Sequence, residues 1–238
     1  MSWSFQTFWA YLFDARMAYG ALVTLGVATM AQIAATLIGF GFALCQRSTL
    51  APLKFATSAF IWVFRGTPPL IQLLLFYFGL PQLGLRLSVL EAGLLCLSFY
   101  AAAYMTEVVR AGLDSVDEGQ VEAAQSMGFS RAMTMRYVIL PQAMRVILPP
   151  FGNEFTSMMR TTSLLSVISF EELLRVTSLA INETFRPLEL YSVAALYYLA
   201  MTSLWMLAQN LLERRFSIGG GRADKSIPTA SLSPSASS

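Results

Sequence analysis

Histidine is absent from the 238-residue chain, and its two cysteines, Cys45 and Cys96, each sit in an apolar stretch. A Cys/His metal site and a disulfide framework are therefore not expected. The sequence also lacks a G-x-x-x-x-G-K-[ST] loop, a G-x-S-x-G turn and an HExxH pair. We accordingly expect a chain that is not an enzyme and that binds no metal, nucleotide or other cofactor of its own.

Charged residues are scarce as well, at 13% of the sequence against 55% hydrophobic residues. This composition disfavours a soluble domain and is typical of a protein that crosses the membrane several times. Membrane lipid is therefore an expected partner. The formal charge of +2 gives no reason to expect a nucleic-acid partner.

Five apolar stretches have the length of a membrane-crossing helix, and the fold class predicted from them is an all-α membrane protein with five transmembrane helices. The second stretch contains Pro68-Pro69, so its helix is expected to restart at the prolines. The fifth contains Pro149-Pro150, which are expected to bend or break its helix. The stretches are residues 19–44, 55–80, 88–109, 138–170 and 190–212.

The distribution of Lys and Arg predicts the orientation. If the loop after the first helix, the polar loop and the C-terminus share one side, that side holds ten basic residues and the other holds four. Because cytoplasmic loops carry the excess of Lys and Arg, the N-terminus is predicted outside and the C-terminus inside. The larger group is Arg47, Lys54, Arg110, Arg131, Arg136, Arg145, Arg214, Arg215, Arg222 and Lys225.

The two ends of the chain differ from the predicted membrane domain, residues 19–216. Residues 1–18 are rich in aromatic residues and lack the basic region and cleavage site of a signal peptide, which favours an interfacial anchor. Residues 217–238 are rich in Gly, Ser and Pro. They have too little apolar surface to fold alone, so a disordered cytoplasmic tail is expected there.

Residues 115–141 form the long polar interruption of this apolar sequence. Asp117, followed three residues later by Gln120, predicts a helix that begins near Glu118. Gly128 predicts its end, and Ser130 a second start. The pattern therefore indicates a polar helix, a turn and a second helix that leads into the membrane.

This loop carries a recognisable motif. Glu122-Ala123-Ala124, then Gly128, then Leu140-Pro141 stand at the spacing of the EAA signature, and the sequence resembles the permease subunits of ABC importers, although Val138 stands where many relatives have isoleucine. Two further motifs, Arg65-Gly66-Thr67-Pro68 and Thr162-Ser163-Leu164, are similar to those of the polar amino-acid branch, which takes up histidine, glutamine, arginine or opines. The resemblance spans most of residues 20–215.

The resemblance implies a type I importer permease fold and a location in a bacterial inner membrane. It also implies that the protein carries a polar amino acid or an opine-like derivative inward by alternating access. It implies an ATP-binding subunit dimer that holds ATP and Mg²⁺, a second permease, identical or homologous, and a periplasmic solute-binding protein that docks near residues 80–87 and 171–189. The cytoplasmic EAA helix would enter a groove of the ATPase; a mere connector is the alternative. The implied coupling residues are Glu118, Val121, Glu122, Ala123, Ala124, Gly128 and Phe129.

Ionisable groups within the membrane are costly and therefore indicate function. Glu154 and Arg160 lie in the interrupted fifth stretch, and broken membrane helices supply the cation and the acidic group that a zwitterion needs. We hypothesise that they line the substrate path; the alternative is that Arg160 snorkels outward and Glu154 pairs inside the bundle. The complete set of candidates is Glu154, Arg160, Thr161, Ser163, Tyr100 and Tyr104.

One departure from the family pattern concerns the substrate. Relatives often have Lys-Asp where this chain has Arg160-Thr161. The cation is retained and an acid is lost, which disfavours a strongly basic substrate if that acid faces the path. The choice of substrate can equally lie in the binding protein.

Four residues have candidate structural or gating roles. Glu107 and Arg110 are three residues apart on one helix and are expected to form an ion pair. Arg65, placed by the resemblance at the cytoplasmic entry of the second helix, is expected to bond free carbonyls at helix ends. Pro141 is expected to turn the chain as it enters the membrane.

Two other classes of function stay open. A secondary transporter also has broken helices and buried charge, but would be expected to show internal repeats and its own coupling site. A membrane scaffold or assembly factor has no need of Glu154 and Arg160 at membrane depth. Copurification of an ATPase would separate these alternatives.

Overall fold

The computed structural model describes residues 3–217, which fold almost entirely into helices. Short π-helical turns lie at Leu75–Gly79 and Met135–Ile139, and short 3-10 helices at Leu80–Leu83 and Thr162–Ile168. The α-helices are α1 (Phe5–Leu12), α2 (Ala15–Arg47), α3 (Ala51–Gly66), α4 (Pro69–Leu74), α5 (Val89–Asp114), α6 (Glu118–Ser126), α7 (Arg131–Thr134), α8 (Leu140–Thr161), α9 (Leu173–Thr184) and α10 (Pro187–Ser217).

Among residues 3–217, three helices are long and apolar enough to cross a membrane, namely α2, α5 and α10. The pair Ala51–Gly66 and Pro69–Leu83 passes the same test only together, and its two parts meet at 107°. This pair is therefore a broken span or a re-entrant segment, and the helix does restart at the prolines. The stretch at residues 138–170 forms α8, which is long but more polar.

The centre of the bundle is the close contact of α2 with α5. Ala28, Ala31 and Ala35 of α2 are fully buried. A side chain at Gly39 would place its Cβ 2.7 Å from the Cβ of Met105, so glycine is required at this crossing. Small residues let two helices approach until their backbones nearly touch, which is how membrane helices gain packing energy without a hydrophobic driving force.

Of the two outcomes predicted for Pro149 and Pro150, a bend or a break, the break is wrong, because α8 continues through both residues; a bend stays a prediction. Helix α10 supplies donors to this stretch: Gln209 Nε2 donates to the Pro149 carbonyl at 3.2 Å and Trp205 Nε1 donates to the Gly152 carbonyl at 2.9 Å. These bonds join α10 to α8 beside the prolines; the carbonyls that lose their helical donors to Pro149 and Pro150 are those of Arg145 and Val146, four residues earlier. A side chain at Gly152 would collide with Gln209, so this glycine allows the contact.

The segment expected as an outer loop at residues 171–189 contains the 12-residue helix α9. Docking of the binding protein at this segment stays a prediction. Glu172 is the N-cap of α9, and its side chain accepts a hydrogen bond from the backbone N–H of Arg175 at 2.9 Å. The other expected docking loop, residues 80–87, begins with a 3-10 turn that ends at Gly84, whose φ of 86° favours glycine.

At the N-terminus, α1 packs on α10. The Ser4 N–H donates to Glu189 Oε1 at 2.8 Å, and the Tyr197 hydroxyl donates to the Leu12 carbonyl at 2.8 Å. Phe5 is largely exposed on α1, as are Trp9 and Phe13, and an interfacial anchor stays the prediction for this segment. The predicted tail lies, from residue 218 onward, outside the described residues.

Candidate functional site

The polar loop folds as its local signals predict. Asp117 Oδ1 accepts a hydrogen bond from the Gln120 N–H at 3.3 Å and caps α6. Gly128 has φ of 87°, in the left-handed region that favours glycine. Ser130 Oγ accepts from the Met133 N–H at 3.3 Å and caps α7. The helix, the turn and the second start are therefore confirmed.

The side of α6 that carries its small and apolar side chains is packed against the rest of this chain. Ala124 is 2% exposed and Val121 is packed against the core, whereas Glu118, Glu122 and Ala123 are exposed. The small side chains therefore hold α6 against its own chain, and a partner would meet the acidic side. Of the turn residues, Gly128 is exposed and Phe129 half-buried.

A cavity of about 410 Å³ lies between α6 and the C-terminal ends of α2 and α5. Carboxyl groups dominate its polar lining, with one arginine, Arg47, that is paired with Asp114. Gln142, beside Pro141 in the first turn of α8, donates to Gln120 Oε1 at 2.6 Å and so joins α8 to α6. The cavity is lined by Arg47, Leu113, Asp114, Val116, Glu118, Val121, Glu122 and Ile139.

An ion-pair network ties the same ends of α2 and α5 together. Arg110 Nη2 lies 2.6 Å from Glu107 Oε2, which confirms the predicted pair. Arg110 also reaches Asp114 at 3.5 Å, and Arg47 of α2 lies 2.6 Å from Asp114. We call these four residues the α2–α5 network. The Arg47–Asp114 pair was not predicted, because the two residues are 67 positions apart and only folding brings them together.

A second constellation lies between α3, α5 and α8. The Arg65 guanidinium carbon is 5.3 Å from the centroid of the Tyr104 ring, and the Tyr104 and Tyr100 centroids are 5.1 Å apart. Glu154 lies on α8, which packs against α5. We call Arg65, Tyr104 and Tyr100, together with Glu154 on the neighbouring helix α8, the Arg65–Glu154 row.

The other predicted path residues are Arg160, Thr161 and Ser163. Arg160 is exposed and forms no ion pair within residues 3–217. It follows Glu154 by six residues, which at roughly 100° per residue turns it to another side of the helix. The Thr161 hydroxyl donates to the Ser157 carbonyl at 2.9 Å and the Ser163 hydroxyl to the Arg160 carbonyl at 2.7 Å.

The break between α3 and α4 is closed by Gln72, which the sequence did not single out. Its Nε2 lies 3.0 Å from the Phe64 carbonyl, 3.0 Å from the Thr67 carbonyl and 2.8 Å from Thr67 Oγ1. Gln72 therefore fills the role predicted for Arg65, namely bonding free carbonyls at a helix end. Arg65 itself lies at the last turn of α3 over the Tyr104 ring.

A buried carboxyl group joins the opposite end of the bundle. Glu172 is fully buried and accepts hydrogen bonds from the Arg175 N–H, the Tyr198 hydroxyl at 3.0 Å and the Thr24 hydroxyl at 3.4 Å. Thr24 in turn accepts from the Leu173 N–H at 3.2 Å. We call this arrangement of α2, α9 and α10 the Glu172 node. An acidic N-cap before an amphipathic stretch was the signal that could have indicated it.

Comparison with known proteins identifies similar chains. Residues 35–218 match the family described as "Binding-protein-dependent transport system inner membrane component". The chain is 36% identical to the arginine transport system permease protein ArgU of Corynebacterium glutamicum, over 93% of this chain and 74% of that protein. It is 39% identical to the octopine transport system permease protein OccM of Rhizobium meliloti, over 76% of this chain and 78% of that protein.

The fold also matches a solved structure, described as "Crystal structure of an amino acid ABC transporter with histidines". The superposition covers 90% of this chain and 100% of the matched chain, with a TM-score of 0.83 and 40% sequence identity. The likeness therefore extends over nearly the whole length of both chains.

Proposed function

This chain belongs to the family of binding-protein-dependent transport system inner membrane components, and we propose that it is the permease subunit of an ATP-driven importer for a polar amino acid or an opine-like derivative. Permeases of ABC transporters are membrane subunits without catalytic activity. ATP and Mg²⁺ are bound by a separate ATPase, so this chain supplies the path and the coupling surface.

The observation that carries the substrate class is the Arg65–Glu154 row. A zwitterionic amino acid needs a cation for its carboxylate and an acid or carbonyl group for its ammonium. The row has a cation on α3, two tyrosine rings on α5 and an acid on the adjacent helix α8. The arginine and octopine permeases to which the chain is similar are named for amino-acid cargo. We propose that Arg160 and Thr161 at the end of α8, and Ser163 in the 3-10 helix that follows, line the continuation of this path.

The proposed topology has five spans, made by α2, the bent α3–α4 segment, α5, α8 and α10, in a bacterial inner membrane. The N-terminus lies outside and α6 lies in the cytoplasm. Two facts support this arrangement: Arg47 and Arg110 lie at the ends of α2 and α5 that face α6, and basic residues are concentrated on the cytoplasmic side of membrane proteins.

The proposed coupling surface is the exposed side of α6. We propose that the ATPase dimer meets Glu118, Glu122 and Ala123, with Gly128 and Phe129 at the turn. Val121 and Ala124 hold α6 to the membrane helices, so that movement of the ATPase reaches the bundle. A second permease, identical or homologous, completes the pore. A periplasmic binding protein docks near residues 80–87 and α9 and delivers the substrate, which then crosses by alternating access.

The experiment that tests this proposal is a pull-down of the tagged chain from its native membrane in mild detergent, with each copurifying subunit identified. We expect an ATPase, a permease partner and a binding protein, together with ATP-dependent uptake of a polar amino acid by the reconstituted complex. Uptake without ATP, or an intact complex without an ATPase, would instead favour a secondary transporter or a scaffold.

A matched pair of variants locates the coupling surface. Ala123→Arg places a large cation on the exposed side of α6 and is expected to release the ATPase while the permease partner is retained. Ala132→Arg is the control, because Ala132 is exposed on the neighbouring α7. Equal ATPase recovery with both variants would reject α6 as the docking helix.

A further inference from the structure

The side chain of Gln72 bonds across the elbow between α3 and α4. A helix that ends leaves its last carbonyl groups without partners, and α3 ends abruptly at a 107° bend. Gln72 is 5% exposed, and its amide nitrogen bonds the Phe64 carbonyl and both the carbonyl and the hydroxyl of Thr67. One buried amide on α4 therefore fixes the last turn of α3 on both sides of Arg65.

The position of Arg65 follows from this elbow. Its guanidinium lies over the Tyr104 ring at 5.3 Å, and within residues 3–217 it forms no ion pair. A cation stacked on an aromatic face is held in place while its N–H groups still point outward along the plane of the guanidinium. Arg65 is exposed in this chain, so these donors are available to a ligand.

We propose that Arg65 receives the carboxylate of the transported amino acid, and that Gln72 is the positioning residue that presents it to the row. This inference rests on the proposed import function and assigns a partner to one end of the site. A planar guanidinium bonds a carboxylate through two parallel N–H groups, which gives both strength and orientation. Glu154, at the other end of the row, is then left for a positively charged or amide group of the substrate.

The alternative cation, Arg160, does not share this arrangement. It is on the same helix as Glu154 but turned to another side, and no described aromatic ring lies against it. Arg65 comes from a different helix and faces the tyrosines directly. The geometry therefore places the carboxylate receptor on α3 and the acid on α8, so that substrate would join two helices.

The test measures binding to the purified permease–ATPase complex in lipid nanodiscs, without the binding protein, so that substrate selection by that protein does not contribute. The probes are L-arginine, L-glutamine and L-histidine, each paired with its decarboxylated amine. Arg65→Gln is expected to weaken binding of the amino acids by roughly tenfold to a hundredfold, as for the loss of a charge-assisted bidentate pair. Binding of the amines should change by less than about threefold, within the range of a lost exposed contact.

Further variants separate this role from simple damage to the fold. Arg65→Lys keeps the positive charge but lacks the two parallel N–H donors of the guanidinium. Its affinity for the amino acids should therefore lie between those of the wild type and Arg65→Gln. Arg136→Gln is the matched control, because Arg136 also stacks on a tyrosine, Tyr137, at 5.7 Å but on the polar loop. It should leave binding of both kinds of probe unchanged.

Gln72→Leu should reduce the preference for amino acid over amine, because the elbow no longer holds Arg65 in place. Combined with Arg65→Gln it should cause little further loss, since residues that act through one contact are not additive. If Gln72 has a purely structural role, Gln72→Leu would instead lower the binding of the amino acids and of their decarboxylated amines equally.

Two failures are distinguishable. If the wild-type complex binds the amino acids and Arg65→Gln keeps the same preference over amines, the assignment of Arg65 is overturned while the import function stands. If the wild-type complex neither binds nor transports any amino acid, the proposed function itself fails, and the assignment of Arg65 fails with it.

Discussion

The two ends of α2 are tied to the bundle in opposite ways. Near its N-terminal end, the Glu172 node joins Thr24 to α9 and α10 through a fully buried carboxyl group with neutral donors. At its C-terminal end, the α2–α5 network joins Arg47 to α5 through charges that are between a third and a half exposed. One tie is sealed from water and the other is open to it.

This difference determines how readily each tie is released. Breaking a buried group away from its donors leaves several polar atoms unsatisfied, at about 1–3 kcal/mol each. An exposed ion pair exchanges its partner for water and is worth only about 0–1 kcal/mol. We infer that the Glu172 node is a permanent anchor of α9 and that the α2–α5 network, beside α6, can rearrange during the transport cycle.

Glu172→Leu should have the largest effect on stability. Leucine keeps the volume but leaves the Arg175 N–H, the Tyr198 hydroxyl and the Thr24 hydroxyl without their acceptor. We expect a loss of about 3 kcal/mol, which corresponds to a fall in Tm of roughly 6–12 °C for a chain of this size. Thermal unfolding of the purified chain in detergent measures it.

The control for this change is Glu171→Leu, which alters the exposed neighbouring residue and should shift Tm by less than about 2 °C, as surface substitutions do. Equal effects of the two variants would contradict the distinction between a buried and an exposed tie.

Glu172→Gln should have an intermediate effect. Glutamine retains one acceptor oxygen, but its NH2 group replaces the second oxygen and faces groups that are themselves donors. We expect a loss of about 1–2 kcal/mol, between those of Glu171→Leu and Glu172→Leu, in the same unfolding assay. A loss as large as that of leucine would mean that the charge, rather than the hydrogen bonds, holds the node.

Tyr198→Phe should cost about 1 kcal/mol, because it removes one donor and leaves the carboxyl group with others. Thr24→Val removes another donor, and the double variant reveals whether both act through Glu172. Residues that share one partner are coupled by roughly 0.5 kcal/mol or more. Strict additivity in a double-mutant cycle would show that the two contacts are independent.

Arg47→Ala should have the smallest effect, below about 1 kcal/mol at low ionic strength. Because the Debye length falls to about 3 Å at 1 M salt, the difference from wild type should disappear there. Unfolding curves at low and high salt check this, with Glu172→Gln as the comparison that should be insensitive to salt. A loss of stability in Arg47→Ala that does not depend on salt would show that the Arg47–Asp114 pair behaves like a buried contact.

Local signals predicted the parts of the fold that depend on neighbouring residues. Asp117, Gly128 and Ser130 each act within four residues, so the limits of α6 and the start of α7 were readable from the sequence. Glu107 and Arg110 are one helical turn apart, so their pairing was readable as well.

Contacts between distant residues were not predictable in this way. The contact of α10 with Pro149 of α8 depends on Gln209, 60 residues away. The contact between Arg65 and Tyr104 depends on a bend of 107° whose angle no local pattern specifies. Glu172 looked like part of a loop because α9 has only 12 residues, too few to register as a span.

The unbroken course of α8 has a mechanical consequence. Leu140, at the start of α8, is linked to α6 through Gln142, and Glu154 lies about 21 Å further along the same helix. Because α8 continues as one helix between these two points, a movement of its first turn is carried along the helix toward Glu154, although Pro149 and Pro150 each remove one backbone hydrogen bond on the way. A displacement of α6 would therefore move Glu154 relative to Arg65, because Arg65 lies on a different helix, α3. The distance between the two charges would then increase or decrease.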